Sequence, residues 1–158
     1  MFRAPPADGA GMTSKHRELV WQEIRSRSIL YGVVALGSVI GGESRYLVGL
    51  LLQALGPGFP WATLFVNVTG SFVIGFYAAL TGPDGRVFAS ARQRQFVMTG
   101  ICGGYTTFSA FSLETFQLLR GGHAPTALLN VGISVIGWLV AVWFGHVLAT
   151  RINRLKGT

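Results

Sequence analysis

Reactive and charged side chains are scarce in this sequence of 158 residues. Cys102 is the one cysteine, so a disulfide within the chain is excluded, and we interpret it as a small packing residue. His16, His123 and His146 are scattered, and no nucleophile and base share a plausible catalytic spacing. We therefore predict that the protein is not an enzyme. Only 12% of the residues are charged and 50% are hydrophobic, which is typical of a membrane protein.

Four segments are apolar over the length of about 20 residues that a membrane-spanning helix needs. They cover approximately residues 28–52, 61–81, 95–119 and 125–149. We therefore predict an all-α membrane protein with a four-span domain over residues 28–149. Residues 1–27 are interpreted as a basic, mobile tail with at most a short surface helix, because they lack the order of a cleavable signal peptide. Residues 150–158 are interpreted as a short basic C-terminal tail.

Basic residues are concentrated on one side of this predicted topology. Eleven of them lie before the first span, in the middle loop or after the last span, whereas Arg120 alone lies on the other side. An excess of Lys and Arg in cytoplasmic loops orients membrane proteins, so we predict that both termini lie in the cytoplasm. Because no basic groove with interleaved aromatic residues is present, nucleic acid is not predicted as a partner.

Polar residues inside the spans are candidate functional positions, because an unpaired polar group is costly in hydrocarbon. Glu43 and Arg45 interrupt the first span, either close to an interface or as a charged mouth that concentrates anions. Asn67 lies in the second span, and Asn130 and Ser134 share one face of the fourth. Each of these amides either hydrogen bonds a neighbouring helix or contacts a transported ion. The residues alone leave both interpretations open.

The third span contains the most unusual stretch, GGYTTFSAF, which starts at Gly103. Adjacent glycines and threonines disfavour a continuous helix, so we predict a break between Gly103 and Thr107. Carbonyl groups freed at such a break are ligands for a small hard cation such as sodium. Beyond the break, Phe108 and Phe111 share a helix face, and Glu114 continues the polar surface. This combination indicates a function beyond helix packing.

Three motifs, taken together, resemble the Fluc (CrcB) family of fluoride channels. They are GGESRY at Gly41–Tyr46, TLFVN at Thr63–Asn67 and GGYTTFSAF at Gly103–Phe111, and the resemblance extends from about Val33 to Ala149. It implies a four-span subunit whose third helix is broken mid-membrane, in an antiparallel, dual-topology dimer. The implied function is passive, fluoride-selective conduction out of the cytoplasm across the inner (plasma) membrane, which confers fluoride resistance.

The same resemblance implies which residues contact the ions. The main-chain carbonyls of Gly103 and Thr106 would bind a structural sodium ion at the dimer centre that is not transported. Arg45 would line a vestibule. Together with neighbouring polar residues, the predicted fluoride pore comprises Asn67, Thr107, Phe108, Phe111, Glu114, Asn130 and Ser134. The expected partners are fluoride, sodium, membrane lipid and a second subunit.

Two features of the sequence depart from the family pattern. Trp138 follows Asn130 and Ser134 on the fourth span, where the family often continues with serine. The basic residues are distributed eleven to one, although a subunit that inserts in both orientations is expected to have balanced loops. We favour a homodimer, and a partner encoded as a second, oppositely oriented paralogue is the alternative.

Two functions of other classes also fit parts of the sequence. A small proton-coupled exporter with four spans would use Glu43 as its proton and substrate site. The presence of Arg45 and the predicted break in the third span argue against it. A non-transporting membrane assembly subunit would use every buried polar group to hold helices together.

Overall fold

The computed structural model describes residues 14–56 and 58–154, and this part of the chain contains helices and no strands. The prediction of an all-α protein is therefore confirmed over these residues. The helical segments, in chain order, are α1 (Ser14–Leu52), a 3-10 turn (Gln53–Leu55), α2 (Trp61–Leu80), α3 (Ala91–Gln95), a π-helix (Phe96–Cys102), α4 (Gly103–Tyr105), α5 (Phe108–Arg120) and α6 (Ala124–Arg154).

Three of these helical segments are long and apolar enough to cross a membrane. By length and composition they are Ser14–Leu55, Trp61–Leu80 and Ala124–Arg154. Large apolar side chains such as Leu51 and Leu128 are exposed on their outer surfaces. Exposed apolar surface of this extent is unfavourable in water and favourable against lipid. The chain is a multi-pass α-helical membrane protein.

Helix α1 begins earlier than the predicted first span. The prediction started the span at Ser28, whereas the helix begins at Ser14 and is continuous through the apolar segment. Arg27 and Glu23 form an exposed i,i+4 ion pair of 2.6 Å on this extension, an arrangement that supports helices modestly. Residues 1–13 and 155–158 lie outside the described residues, so the predicted mobility of the N-terminal tail stays a prediction.

Helices α2 and α6 pack against each other through glycines. A Cβ at Gly75 would collide with the carbonyl oxygen of Val142, and a Cβ at Gly145 would collide with that of Phe72. Small residues at helical spacing allow this backbone approach in membrane proteins. The pairing brings the polar positions of α2 and α6 into one interior.

Helix α1 packs in the same way against the chain that precedes α5. A Cβ at Gly37 would lie 2.7 Å from the carbonyl oxygen of Phe96 and 2.9 Å from the Cα of Gly100. A Cβ at Gly104 would lie 2.8 Å from the Cα of Ser38. All three distances are shorter than real Cβ contacts, so larger residues would push the helices apart. This packing holds residues 96–105 against α1. The helical segment α4 ends at Tyr105, directly after this contact.

Candidate functional site

The helical backbone stops at two threonines between α4 and α5. Thr106 has φ −81° and ψ 159°, and Thr107 has φ −153° and ψ 120°, so both residues are extended. The preceding Gly103 is helical, with φ −65° and ψ −35°. A π-helix, Phe96–Cys102, lies just before this interruption, and such segments are frequent at functional sites. The interruption therefore lies after the glycine pair rather than on it.

Asn67 of α2 hydrogen bonds both backbone groups of Thr107. The Thr107 N–H donates to Asn67 Oδ1 at 2.7 Å, and Asn67 Nδ2–H donates to the Thr107 carbonyl oxygen at 2.9 Å. The amide side chain thus supplies the hydrogen bonds that a neighbouring peptide group would supply. Because both residues are buried, these bonds satisfy backbone groups that would otherwise be costly to leave unpaired.

The same bonds change the surroundings of the two carbonyls predicted to bind sodium. Since the Thr107 N–H donates to Asn67, it does not close a helical bond to Gly103. The Thr106 carbonyl oxygen accepts a hydrogen bond from Arg45 Nη1 at 3.2 Å, and a carbonyl oxygen has a second lone pair. Neutral carbonyl oxygens at interrupted helices are suited to sodium. A sodium ion bound to Thr106 would share this oxygen with the Arg45 guanidinium, which is also positively charged, so sodium binding by the two carbonyls stays a prediction.

Five predicted site residues line one cavity beside the interruption, which we call the break cavity. Its volume is about 260 Å³, and residues of α2, the interrupted segment and α6 surround it. The site residues that line it are Asn67, Gly103, Thr106, Thr107 and Phe108. Trp138 of α6 also lines this cavity. The structure thus brings together residues from distant parts of the sequence.

A second cavity, which we call the carboxylate cavity, is also lined by Thr107. It has a volume of about 510 Å³ and is lined by Arg45, Thr63, Ser109 and Glu114 among others. Thr63 Oγ1 donates to Glu114 Oε1 at 2.8 Å, whereas Glu114 Oε2 is buried and has no partner among the described residues. Arg45 and Glu114, which were predicted as vestibule and pore residues, therefore face one cavity.

The two phenylalanines lie in the first turn of α5. Thr107 caps this helix, because its Oγ1 accepts a hydrogen bond from the Ala110 N–H at 3.2 Å. Phe108 is 70% exposed in the single subunit and Phe111 is 7% exposed, with ring centroids 5.6 Å apart. Phe111 also contacts Trp138 edge to face, at 4.9 Å between centroids. The rings thus form one aromatic row from the surface to α6.

Asn130 and Ser134 are buried between α5 and α6. Asn130 Nδ2–H donates to Thr115 Oγ1 at 2.9 Å, and Ser134 Oγ–H donates to Asn130 Oδ1 at 3.4 Å. Neither residue lines the break cavity or the carboxylate cavity. In the single subunit, Asn130 connects α6 to α5, whereas Ser134 bonds Asn130 within α6.

Comparison with known proteins identifies the family. Residues 32–146, well over half of the chain, match the family model described as CrcB-like protein, Camphor Resistance (CrcB). The chain belongs to the CrcB family. This result confirms the family resemblance that the three sequence motifs indicated.

Several relatives of this CrcB-family chain are named as ion channels. Fluoride-specific ion channel FluC 1 of Rhodopseudomonas palustris (strain BisB18) is 74% identical over 137 residues, which cover 86% of this chain and 97% of the relative. A protein of the same name from Bradyrhizobium diazoefficiens is 65% identical over 82% of this chain and 90% of its own length. Fluoride-specific ion channel FluC of Opitutus terrae is 53% identical over 82% of this chain and 98% of the relative. The prediction of a protein that is not an enzyme is confirmed.

Two residues of this CrcB-family site were not among the predicted positions. Thr63 lies one helical turn before Asn67, and this spacing would have placed it on the same face of α2. Trp138 lies one turn after Ser134 on the polar face of α6, although an aromatic ring does not by itself indicate a donor without a partner. Helical spacing alone would therefore have placed Thr63 and Trp138 on the faces that carry the site.

Proposed function

We propose that this protein is a passive, fluoride-selective channel of the inner (plasma) membrane that lets fluoride leave the cytoplasm and so confers fluoride resistance. The names of the relatives support this function. The structural observation that carries it is the position of Phe108 and Phe111 in the first turn of α5, next to the break cavity. A helix that only packs against lipid or protein does not require an exposed Phe108 ring, hydroxyl groups and an amide side chain at one point.

The chemistry of this position suits a small anion. Unpaired N–H groups and the helix dipole place about half a positive charge at the start of α5. Phenylalanine ring edges carry partial positive charge, so they attract an anion without a formal cation. Conduction requires binding that is weak enough for release. Neutral groups such as ring edges and hydroxyls meet that requirement better than a lysine or arginine in the path.

The membrane topology we propose has four spans. Helices α1, α2 and α6 form three, and residues 91–120 form the third span in chain order, broken at mid-membrane depth by Thr106 and Thr107. Its halves are shorter than a bilayer, so each is stable in lipid only when packed against protein. The high exposure of Phe108 supports a second subunit over this face. We propose an antiparallel dimer with both pores at the contact.

Within this dimer we propose that Gly103 and Thr106 hold a structural sodium ion through their carbonyl oxygens. When bound, the ion adds fixed positive charge near the anion path and is not transported. The test is fluoride efflux from protein purified and reconstituted with sodium fully replaced by a large organic cation. We expect slower efflux that recovers on return of sodium, and equal efflux in both conditions would contradict the site.

The distribution of basic residues bears on the identity of the partner subunit. The basic residues favour one orientation, yet the first span does not always decide insertion. We propose a homodimer, with an oppositely oriented paralogue as the alternative. Glu43, on which a proton-coupled exporter would depend, is exposed and lies outside the break and carboxylate cavities. We therefore propose no second function.

Fluoride efflux from liposomes tests the function directly. Liposomes that contain only this protein are loaded with potassium fluoride and diluted into fluoride-free buffer, and valinomycin is added to carry compensating potassium. We expect rapid release measured with a fluoride electrode, and release at the protein-free rate from matched chloride-loaded vesicles. Fluoride release at the protein-free rate, or equal release of both anions, would contradict the proposal.

A further inference from the structure

The indole N–H of Trp138 is a buried donor without an acceptor. Its Nε1 atom has no hydrogen-bond partner among the described residues. An indole nitrogen can donate but cannot accept. A buried donor without a partner is unfavourable, and buried tryptophan N–H groups usually find an acceptor. The position therefore requires an explanation in terms of what the N–H meets when the protein functions.

Other donors on the same face of α6 are already engaged. Asn130 donates to Thr115 at 2.9 Å, and Ser134 donates to Asn130 at 3.4 Å. Trp138 lies one helical turn after Ser134, so the three side chains share one face. The residue that interrupts the expected polar row is thus the one whose donor has no acceptor in the part of the chain that the structure describes.

The surroundings of Trp138 connect it to the proposed anion path. The side chain lines the break cavity together with Asn67, Thr107 and Phe108, and it packs edge to face on Phe111 at 4.9 Å. The nitrogen itself is covered in this structure. The torsion that turns a tryptophan ring about its Cβ–Cγ bond is soft, and the adjoining cavity of about 260 Å³ leaves space for that turn.

We infer that the Trp138 N–H donates a hydrogen bond to the permeating anion in the break cavity. This inference rests on the proposed fluoride channel function. A neutral N–H replaces part of the water that a small anion sheds, and it holds the ion less tightly than a cation would. Fluoride accepts hydrogen bonds more strongly than larger halides, so a donor at this point also favours fluoride. Trp138 is then a specificity-determining residue of the channel.

Replacement of Trp138 by phenylalanine tests the donor and keeps an aromatic contact for Phe111. We expect Trp138→Phe to lower fluoride efflux about tenfold, because hydrogen bonds to charged groups are worth that much or more. The matched control is Trp143→Phe on the same helix, whose side chain is 63% exposed. We expect it to conduct as the unmodified protein does. Equal efflux from both variants would overturn the inference.

A spectroscopic measurement places the readout on the unmodified protein and uses a variant only to assign the resonance. With ¹⁵N-labelled tryptophan, the indole N–H resonance of Trp138 is assigned by its absence in Trp138→Phe. We expect fluoride to move this resonance downfield and chloride to leave it in place, with the Trp143 resonance as internal reference. An unchanged Trp138 resonance overturns the inference. If the unmodified protein does not conduct fluoride, the proposed function fails, and the resonance still decides whether Trp138 binds the anion.

Discussion

Asn67 and Thr107 exchange two hydrogen bonds, of 2.9 Å and 2.7 Å, across the interior of the protein. The pair joins the middle of α2 to the residue that caps the start of α5. Each bond uses one atom of the amide and one backbone group of the threonine. Asn67 therefore acts on the site in two ways, because it fixes the extended backbone and retains a second amide N–H at the break cavity.

Substitution of Asn67 is predicted to abolish fluoride efflux. Asn67→Ala leaves the N–H and carbonyl of Thr107 unpaired, at a cost of about 1–3 kcal/mol for each buried group. Asn67→Asp keeps an acceptor for the N–H but places carboxylate oxygen against the Thr107 carbonyl and beside the anion path. We expect both variants to lose flux, and we expect Asn67→Ala also to lower the melting temperature measured in detergent.

The control for Asn67 is Asn153, another amide that bridges two backbone groups. It accepts from the Arg86 N–H at 2.9 Å and donates to the Ala79 carbonyl at 2.9 Å, away from both site cavities. Asn153→Ala is expected to reduce stability while folded protein still conducts fluoride. Unaltered flux in Asn67→Asp would contradict the role given to Asn67.

The adjacent glycines are predicted to differ in their tolerance of alanine. No described atom lies within 4 Å of a Cβ at Gly103, whereas a Cβ at Gly104 would lie 2.8 Å from the Cα of Ser38. Alanine is favoured over glycine by about 1 kcal/mol in a helix. Gly103→Ala should therefore be neutral or stabilising in the single subunit, and Gly104→Ala should destabilise by separating α1 from the interrupted span. The stability of each variant is measured by thermal unfolding, with gel filtration as the readout of folded protein.

This comparison also tests why the helix is interrupted. If the glycine pair caused the interruption, both substitutions would alter it. The structure instead assigns Gly104 to close packing and the change of backbone direction to Thr106 and Thr107. Equal destabilisation by the two alanines would contradict this assignment, provided that Gly103 is not covered by a second subunit. The cross-linking yield of the dimer is measured for each variant. A lower yield in Gly103→Ala would show that Gly103 contacts the second subunit.

Removal of residues 1–27 is predicted to leave fluoride transport intact. The extension of α1 from Ser14 is mostly exposed, and neither site cavity includes a residue from it. A protein that starts at Ser28 should insert and conduct at the rate of the full chain. Efflux is measured per folded dimer in liposomes. Loss of conduction in correctly inserted, dimeric protein would show that the extension contributes to the channel.

Three of the four predicted apolar spans correspond to long apolar helices among the described residues, because hydrophobic length is a local property. The sequence did not predict the start of α1 at Ser14, although residues 14–31 contain neither glycine nor proline, because the prediction followed hydrophobicity alone. It predicted irregular backbone between Gly103 and Thr107 and attributed it to the glycine pair and the threonine pair together, whereas the extended residues are the two threonines. The residues that hold this backbone in place are distant in sequence. Asn67 hydrogen bonds the backbone of Thr107, and the close contact with Ser38 leaves room only for a glycine at position 104. Such pairings are not visible in a single sequence.

Replacement of the two phenylalanines by leucine is predicted to stop conduction without unfolding the protein. Apolar swaps of similar volume usually cost less than about 1.5 kcal/mol, so Phe108→Leu and Phe111→Leu should give dimers with normal gel-filtration profiles. If the ring edges contact fluoride, leucine removes a quadrupole that no aliphatic side chain supplies. We therefore expect fluoride efflux to fall steeply in each variant.

The matched control for these variants is Phe116, which lies on the same helix, is 55% exposed and lines neither site cavity. Phe116→Leu is expected to conduct normally. Methionine should partly restore one of the two pore positions, because its polarisable sulfur is a better substitute than an aliphatic carbon. Because Phe111 also packs on Trp138, Phe111→Leu carries the larger structural change, and Phe108→Leu is the cleaner test. Normal flux in both leucine variants would leave the two rings as packing residues and remove them from the pore.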